Sequence, residues 1–264
     1  MAIEIFNRYE NKYLVKEEIF RRLTDRLVDY MIQDAYSKKD GQYPIYNIYY
    51  DTRSNDLIRT SLMKPAYKEK LRVRSYGKPD ANAMIYVEIK KKANGIVNKR
   101  RTSMKPAEAY GFLNSGELPS IKPYMNPQVL REIEYMLKQN ILSPALFLSY
   151  ERQAYFEDGA HDLRVSFDTN IRTRRTDLWL ESGAYGEELL EKGEWLMEIK
   201  TAQSIPLWLC RLLSEYKIYP TGFSKYGAEY KRALGRIRRS YVVTPQWSDM
   251  IAAEHIDLEK VQYV

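Results

Sequence analysis

Cysteine and histidine are almost missing from this chain of 264 residues. The single cysteine, Cys210, excludes an intramolecular disulfide and a thiolate metal cluster. It falls in the apolar run 205–213, where a thiol packs as a small hydrophobe. The only histidines, His161 and His255, read as surface residues, so imidazole acid–base chemistry has few candidates. A glycine-rich phosphate loop is missing too, because Gly183-Ala184-Tyr185-Gly186 is not followed by Lys-Ser/Thr. No serine elbow is present. No apolar run is long enough to span a membrane, and residues 1–13 lack the apolar stretch of a secretion signal. The expectation is a cytoplasmic protein with no membrane span.

What is abundant is alternation. Tyr86-Val87-Glu88-Ile89-Lys90 and its near-copy Leu196-Met197-Glu198-Ile199-Lys200 each place charge on one strand face and apolar side chains on the other. The net charge of +7 suggests an anionic partner but is modest for a nucleic-acid binder. Its distribution is uneven. Residues 88–105 hold seven Lys/Arg against one acid, Glu88.

Hydrophobic periodicity predicts a first strand over 3–15 and an amphipathic helix over 16–36, with Ile19, Leu23, Leu27, Met31 and Ala35 on one side. Strands follow at 43–50 and 70–74, joined by a connection over 53–65. Ala93-Asn94-Gly95 marks a hairpin between the Glu88 strand and 96–104. Helices are predicted from Pro106 to Leu113, ending near Gly116, and from Asn126-Pro127, a capping residue with proline at the first turn, to about Asn140. Further strands are read at 145–156, 163–171, 177–181 and 194–201, and helices at 205–217 and 225–239. Ile48-Tyr49-Tyr50-Asp51-Thr52 echoes Val165-Ser166-Phe167-Asp168-Thr169, which suggests two β halves packed as one domain over 1–240, with a tail over 241–264.

Charges share one face on strand after strand: Arg8/Glu10/Lys12, Lys70/Arg72/Arg74, Glu88/Lys90, Lys99/Arg101, Arg152, Arg164 and Glu198/Lys200. The opposite faces carry Leu71, Val73, Val87, Ile89, Leu163, Val165, Met197 and Ile199. Helices can cover that apolar side. If the sheet then closes, the charges line a lumen, which must hold water, ions and a ligand because unpaired charges are not buried cheaply. Many Lys/Arg with three glutamates (Glu10, Glu88, Glu198) suit a polyanion plus a divalent metal: guanidinium for bidentate phosphate recognition, carboxylate for a hard cation. The charged hairpin tip, with Lys91, Lys92 and Arg100, reads instead as solvated.

These segments, in order, resemble the catalytic domain of the vacuolar transporter chaperone (VTC) polyphosphate polymerases, within the triphosphate tunnel metalloenzymes. The resemblance rests on Arg8-Tyr9-Glu10-Asn11-Lys12-Tyr13, Ile48-Tyr49-Tyr50-Asp51-Thr52, Lys70-Leu71-Arg72-Val73-Arg74, Val87-Glu88-Ile89-Lys90-Lys91 with Lys99-Arg100-Arg101, and Tyr150-Glu151-Arg152. It continues through Leu163-Arg164-Val165-Ser166-Phe167-Asp168-Thr169, Met197-Glu198-Ile199-Lys200 and Ser224-Lys225-Tyr226. It implies an α+β protein, a closed antiparallel eight-stranded β-barrel with helices packed on its outside, and a tunnel gripping a triphosphate beside Mn2+ or Mg2+. Carried over by motif, Lys12, Arg72, Arg74, Lys90, Lys99, Arg152, Arg164, Lys200 and Lys225 would bind phosphates, assisted by Tyr150 and Ser224. Glu198 would be the principal metal ligand, with Glu10 and Glu88 beside it. Lys12, Arg72, Arg74, Arg152, Arg164 and Lys200 are the candidates nearest the chemistry; the strand pattern adds Arg8, Lys70 and Arg101 to the phosphate contacts.

The implied activity is transfer of the γ-phosphoryl of ATP to inorganic polyphosphate, and the resemblance leaves room for a membrane-bound partner. Hydrolytic relatives open with Glu-x-Glu-x-Lys, whereas here Arg8 stands at the first acidic position, which favours the polymerase branch. A triphosphatase or nucleotide hydrolase on the same tunnel is the alternative, and a non-enzymatic polyphosphate or RNA binder a third. Glutamates interleaved among the basic residues argue against nucleic acid as the partner.

Overall fold

The computed structural model describes residues 9–36, 41–94, 96–157 and 162–241, with side chains to 236. Ten strands form one antiparallel sheet: β1 (Tyr9–Lys16), β2 (Met31–Gln33), β3 (Tyr43–Asp51), β4 (Tyr67–Ser75), β5 (Ile85–Ala93), β6 (Ile96–Met104), β7 (Ser143–Glu157), β8 (Leu163–Arg174), β9 (Glu187–Glu188) and β10 (Glu194–Thr201). Among the described residues six helices accompany them: α1 (Glu17–Leu27), α2 (Asp56–Leu62), α3 (Pro106–Ser115), α4 (Pro127–Gln139), α5 (Leu207–Glu215) and α6 (Lys225–Tyr241). The main path runs β1-β10-β8-β7-β3-β4-β5-β6, with β2 added to β7 and β9 to β8. Among the described residues no helix is long and apolar enough to cross a membrane. The tail expected over 241–264 lies outside the described residues, apart from Tyr241 at the end of α6.

Local chemistry explains most of the boundaries. The Asn126 side chain accepts from the backbone N–H of Gln128 and Val129, with Pro127 following, and so starts α4. Gly116 ends α3 in the left-handed conformation at φ 73°, which costs a residue without Cβ little. Asn94 takes a left-handed φ of 47° in the tight turn between β5 and β6.

The predicted helix over 16–36 stops at Leu27, and Met31 opens a strand that pairs with β7. Its apolar stripe misleads because Met31 is buried in the same core as Leu23 and Leu27, reached from a strand instead of a further helical turn. The connection at 53–65 contains α2, and the piece near 177–181 is a short 3-10 turn at Leu180–Ser182 rather than a strand.

The apolar faces pack as foreseen. On one half, Leu71, Val73, Val87 and Ile89 lie under α3 and α4. On the other, Leu163, Val165, Met197 and Ile199 lie under α1 and α5. A third cluster sits on the opposite face, where Tyr226 of α6 and Ile58 of α2 meet Tyr49, Leu148 and Leu196.

Closure is the main correction. Among the described residues β1 and β6 end the eight-strand path and do not pair, so the sheet curls without closing into a barrel. Side chains reach across the seam, with Lys90 of β5 3.6 Å from Glu10 of β1. A cavity of about 740 Å3 opens there, lined by Glu10, Lys92, Val97 and Gln203 among others. Alternation dictates which face is charged but not whether terminal strands meet. Lys99-Arg100-Arg101 also makes β6 a basic edge, a feature that discourages a neighbouring strand.

Candidate active site

Directly opposed residues on neighbouring antiparallel strands share a face, so the register assembles the site. Glu10 faces Lys200 and Lys12 faces Glu198. Lys200 faces Arg164, and Arg152 faces Asp168. On the other half Arg72 faces Glu88 and Lys70 faces Lys90, while Glu88 faces Arg101 and Lys90 faces Lys99. Every strand residue proposed from the sequence therefore lies on the concave face, except Arg8, which lies outside the described residues.

Two carboxylates organise the β7–β8–β10 wall. Glu198 is 5% exposed and ringed by cations: Lys200 at 3.1 Å, Lys225 at 3.2 Å, Lys12 at 3.3 Å and Arg152 at 3.9 Å. Burial pushes its carboxyl up, but those four cations outweigh burial and hold it well below the usual range. Asp168 is fully buried and accepts both Nε and Nη2 of Arg152, at 2.6 and 2.8 Å, and Nζ of Lys225 at 2.5 Å. A bidentate pair of this kind sets the guanidinium plane. Lys225 arrives from the first turn of α6, whose start Ser224 caps by accepting from the Gly227 N–H at 3.3 Å. Ser224 thus positions Lys225 in this structure.

Glu88 organises the β4–β5–β6 wall. It is 1% exposed and lies 2.6 Å from Arg72, 3.6 Å from Lys99 and 3.9 Å from Arg74. Arg74 also donates to Asn47 at 2.9 Å and to the Tyr150 hydroxyl at 3.1 Å. Tyr150 joins the two walls, because its ring also lies under Arg152 and Lys225 at 5.1 and 4.6 Å. Arg101 is exposed, with its guanidinium 4.6 Å from the centre of the Tyr86 ring. Arg164 reaches Tyr43, which donates in turn to Asp34.

The surplus of cations shows in the lysines. Burial brings Lys70 down to about 8, and the opposing pull of Tyr49 is outweighed by burial together with Lys90, Lys12 and Lys68. Lys99 is brought down to about 8, where the pull of Glu88 upward is overcome by burial together with Arg72, Arg74 and Arg101. The Tyr49 hydroxyl, 3.2 Å from Arg72, is pushed up by burial but drawn down to about 8 by Arg72, Lys70 and Arg74. Such a face is built for a multiply charged anion.

The three glutamates proposed as metal ligands do not converge. Glu10 and Glu198 share the Lys12 ammonium, at 3.1 and 3.3 Å, so one cation already sits between these two carboxylates. Glu88 is engaged by the guanidinium groups of the other wall, and among the described residues no three acidic, His or Cys side chains gather around a common point. Glu198 and Glu10 are oxygen donors of the kind a hard divalent ion takes, and such an ion would have to displace the Lys12 ammonium that now bridges them.

Asp168, Asn47, Tyr43 and Tyr49 belong to the site and were not among the residues proposed from the sequence. The signal was the same alternation: Asp168 follows Arg164 and Ser166 on one face of β8, and Tyr43, Asn47 and Tyr49 share one face of β3.

Among solved structures, an adenylate cyclase candidate from Bacillus halodurans matches with a TM-score of 0.51 at 17% identity, over 84% of this chain and 96% of that one. An adenylyl cyclase candidate from Hippeastrum, described as having a dominant triphosphatase activity, gives 0.46 at 16% identity, over 82% and 92%. The triphosphatase of the mimivirus capping enzyme gives 0.34 at 10% identity, over 80% and 89%. Curated protein sequences include no match. The first of these structures shares the fold. The model of the VTC domain matches residues 7–234, a span that takes in every strand of the basic face, and the chain belongs to the VTC domain family.

Proposed function

We propose that the protein is a metal-dependent phosphotransferase that moves the γ-phosphoryl of ATP onto the end of an inorganic polyphosphate chain. The observation that carries this reading is the pre-set basic face, with Arg152 locked by Asp168 and Arg72 and Arg74 drawn to Glu88. Phosphoryl transfer asks a protein chiefly for positioning and charge neutralisation, and donors held in place before the reaction supply both.

The triphosphate would lie between the two walls. The bond from γ-phosphorus to the β–γ bridging oxygen breaks, and a terminal polyphosphate oxygen forms the new bond, releasing ADP. Arg72, Arg74 and Arg152 would face the oxygens on which charge grows, with Lys12 and Lys200 beside Glu198. The acceptor oxygen is already anionic near neutral pH, so no strong base is needed. Mg2+ or Mn2+ on Glu198 and Glu10 would supply further neutralisation of the phosphate oxygens. ATP as donor and an unpaired Cys210 are both in keeping with a cytoplasmic setting.

The test is to incubate the protein with ATP and Mn2+ and to follow ADP, free phosphate and polymer together. ADP accompanied by polymer is expected. ADP matched by free phosphate would make the protein a hydrolase on the same face. Glu198→Gln should abolish metal-dependent turnover, and unchanged turnover would remove Glu198 from the metal site.

A further inference from the structure

The concave side of β4, β5 and β6 is ruled into cross-strand rows. The row Arg72/Glu88/Arg101 contains an acid, but the next, Lys70/Lys90/Lys99, is all lysine, and the one beyond it pairs Lys68 with Lys92. Like charges placed directly opposite one another destabilise a sheet. Relief is sparse. Lys90 and Lys99 each have one acid, at 3.6 Å. Among the described residues, Lys68, Lys70 and Lys92 have none within ion-pair distance, and the Lys68 ammonium rests on the backbone carbonyl of Ser61 at 3.0 Å.

The other face of the same strands behaves differently. There Glu69 sits opposite Lys91, and Lys91 and Arg100 both reach Glu132, at 3.2 and 2.5 Å. These three strands pair their outward Lys91 and Arg100 with an acid and leave the inward Lys68, Lys70 and Lys92 without one among the described residues. A general excess of surface lysine would not divide in that way.

We propose that Lys68 and Lys92, continuing from Lys70, Lys90 and Lys99, form a second subsite: a track for an extended polyanion, running from the triphosphate-binding part of the face to the open seam. From Arg72 to Lys68 is four residues of strand, roughly 13 Å. The track ends where Lys92 borders the 740 Å3 seam cavity, so a long chain has a lateral way out between β1 and the β5–β6 hairpin. This rests on the proposed function for its ligand class, a linear polyphosphate, but not on which reaction occurs. It also revises the reading of Lys92 as a solvated hairpin residue.

Binding of inorganic tripolyphosphate and of long-chain polyphosphate to the full chain, by calorimetry at several salt concentrations, tests the track. The variants are Lys68→Gln/Lys92→Gln and, as an outer-face control, Lys91→Gln. The inner double variant should lose about tenfold in affinity for the long chain. Its slope of log affinity against log salt should become shallower by about 1.4, two contacts' worth. Tripolyphosphate affinity should change less than twofold, and the control should match the parent with both ligands. An equal loss for both ligands, or no loss for the long chain, would overturn the track. Should the parent hydrolyse ATP without making polymer yet keep this chain-length-dependent loss, the transferase reading fails while the track stands. A parent that binds neither phosphate would overturn both.

Discussion

Asp168 shows what single residues contribute here. It is buried between Arg152 and Lys225, and removing one partner of such a set leaves charge uncompensated, a loss of about 3–5 kcal/mol. Asp168→Ala should therefore lower urea-unfolding stability by that order and weaken tripolyphosphate binding by misorienting Arg152; stability within 1 kcal/mol of the parent would refute the role, taking about 1 kcal/mol as the scale of ordinary substitutions. Acid should act in the same direction. The folded-state pKa of Glu10 is lowered to about 2, and those of Glu88, Asp168 and Glu198 are lowered too, each against burial. A carboxyl lowered on folding contributes stability above its unfolded value near 4.5, and that contribution is lost as pH falls toward the folded value. Stability followed by circular dichroism should decline from about pH 4.5 toward pH 2; a rise over that range would contradict these pairings. Alkali should weaken ligand binding. Lys70 and Lys99 near 8 lose their protons and Tyr49 near 8 gains a negative charge, so tripolyphosphate affinity should fall from about pH 8 upward. Lys70→Arg, always charged, should hold affinity to a higher pH, and an identical profile would acquit Lys70. The face on which these residues sit was legible because strand periodicity is two. Their pairings were not, since Arg152 meets Asp168 and Arg74 meets Tyr150 only through strand order and register.

At the scale of elements, caps supplied locally were readable and caps supplied from elsewhere were not. Asn126-Pro127 announces α4, whereas α2 was read as a plain connection. Its first residues follow Asn55, which makes no side-chain capping bond and sits at φ 59°. Thr52 accepts from the Asp56 N–H, and the other capping oxygens belong to Asp51, at the end of β3. They accept from the N–H groups of Thr52, Leu57 and Ile58 and from the Tyr226 hydroxyl of α6. One buried carboxylate thus ties β3, α2 and α6 together, and α6 carries Lys225 to Glu198 and Asp168. Asp51→Ala would leave several buried donors without an acceptor, each loss being worth about 1–3 kcal/mol. The expected outcome is a fall of about 3 kcal/mol in stability, with faster amide exchange at Leu57 and Ile58 than across the β3–β7 ladder. Uniform exchange changes across the chain would mean that Asp51 serves the whole fold and not this junction.

For the molecule as a whole, the echo between segments on β3 and β8 raises the question of two units or one. The outward cores are separate, one under α3 and α4 and the other under α1 and α5. The concave face is shared. β3 pairs with β7 from Tyr43↔Arg152 to Asp51↔Ser143 at the middle of the sheet. Arg74 of one half donates to Tyr150 of the other, Tyr49 packs on Tyr226 with ring centroids 5.0 Å apart, and Lys90 reaches Glu10 across the seam. If one half unfolded alone, Arg74 would lose its acceptor on Tyr150 and the shared cluster of Tyr49, Leu148, Leu196 and Tyr226 would open to water, so neither half is expected to survive by itself. Unfolding should then be a single transition. In a variant with Trp179, Trp208 and Trp247 replaced by phenylalanine, Trp195, buried and stacked on Phe20 in the α1–α5 core, reports on one half by fluorescence, while far-UV circular dichroism reports on both. Urea curves from the two probes should coincide. A fluorescence transition well separated from the dichroism curve would instead mean two folding units that meet at the concave face. The seam between β1 and β6 would then be the place where they part, because among the described residues no backbone pairing holds the sheet together there.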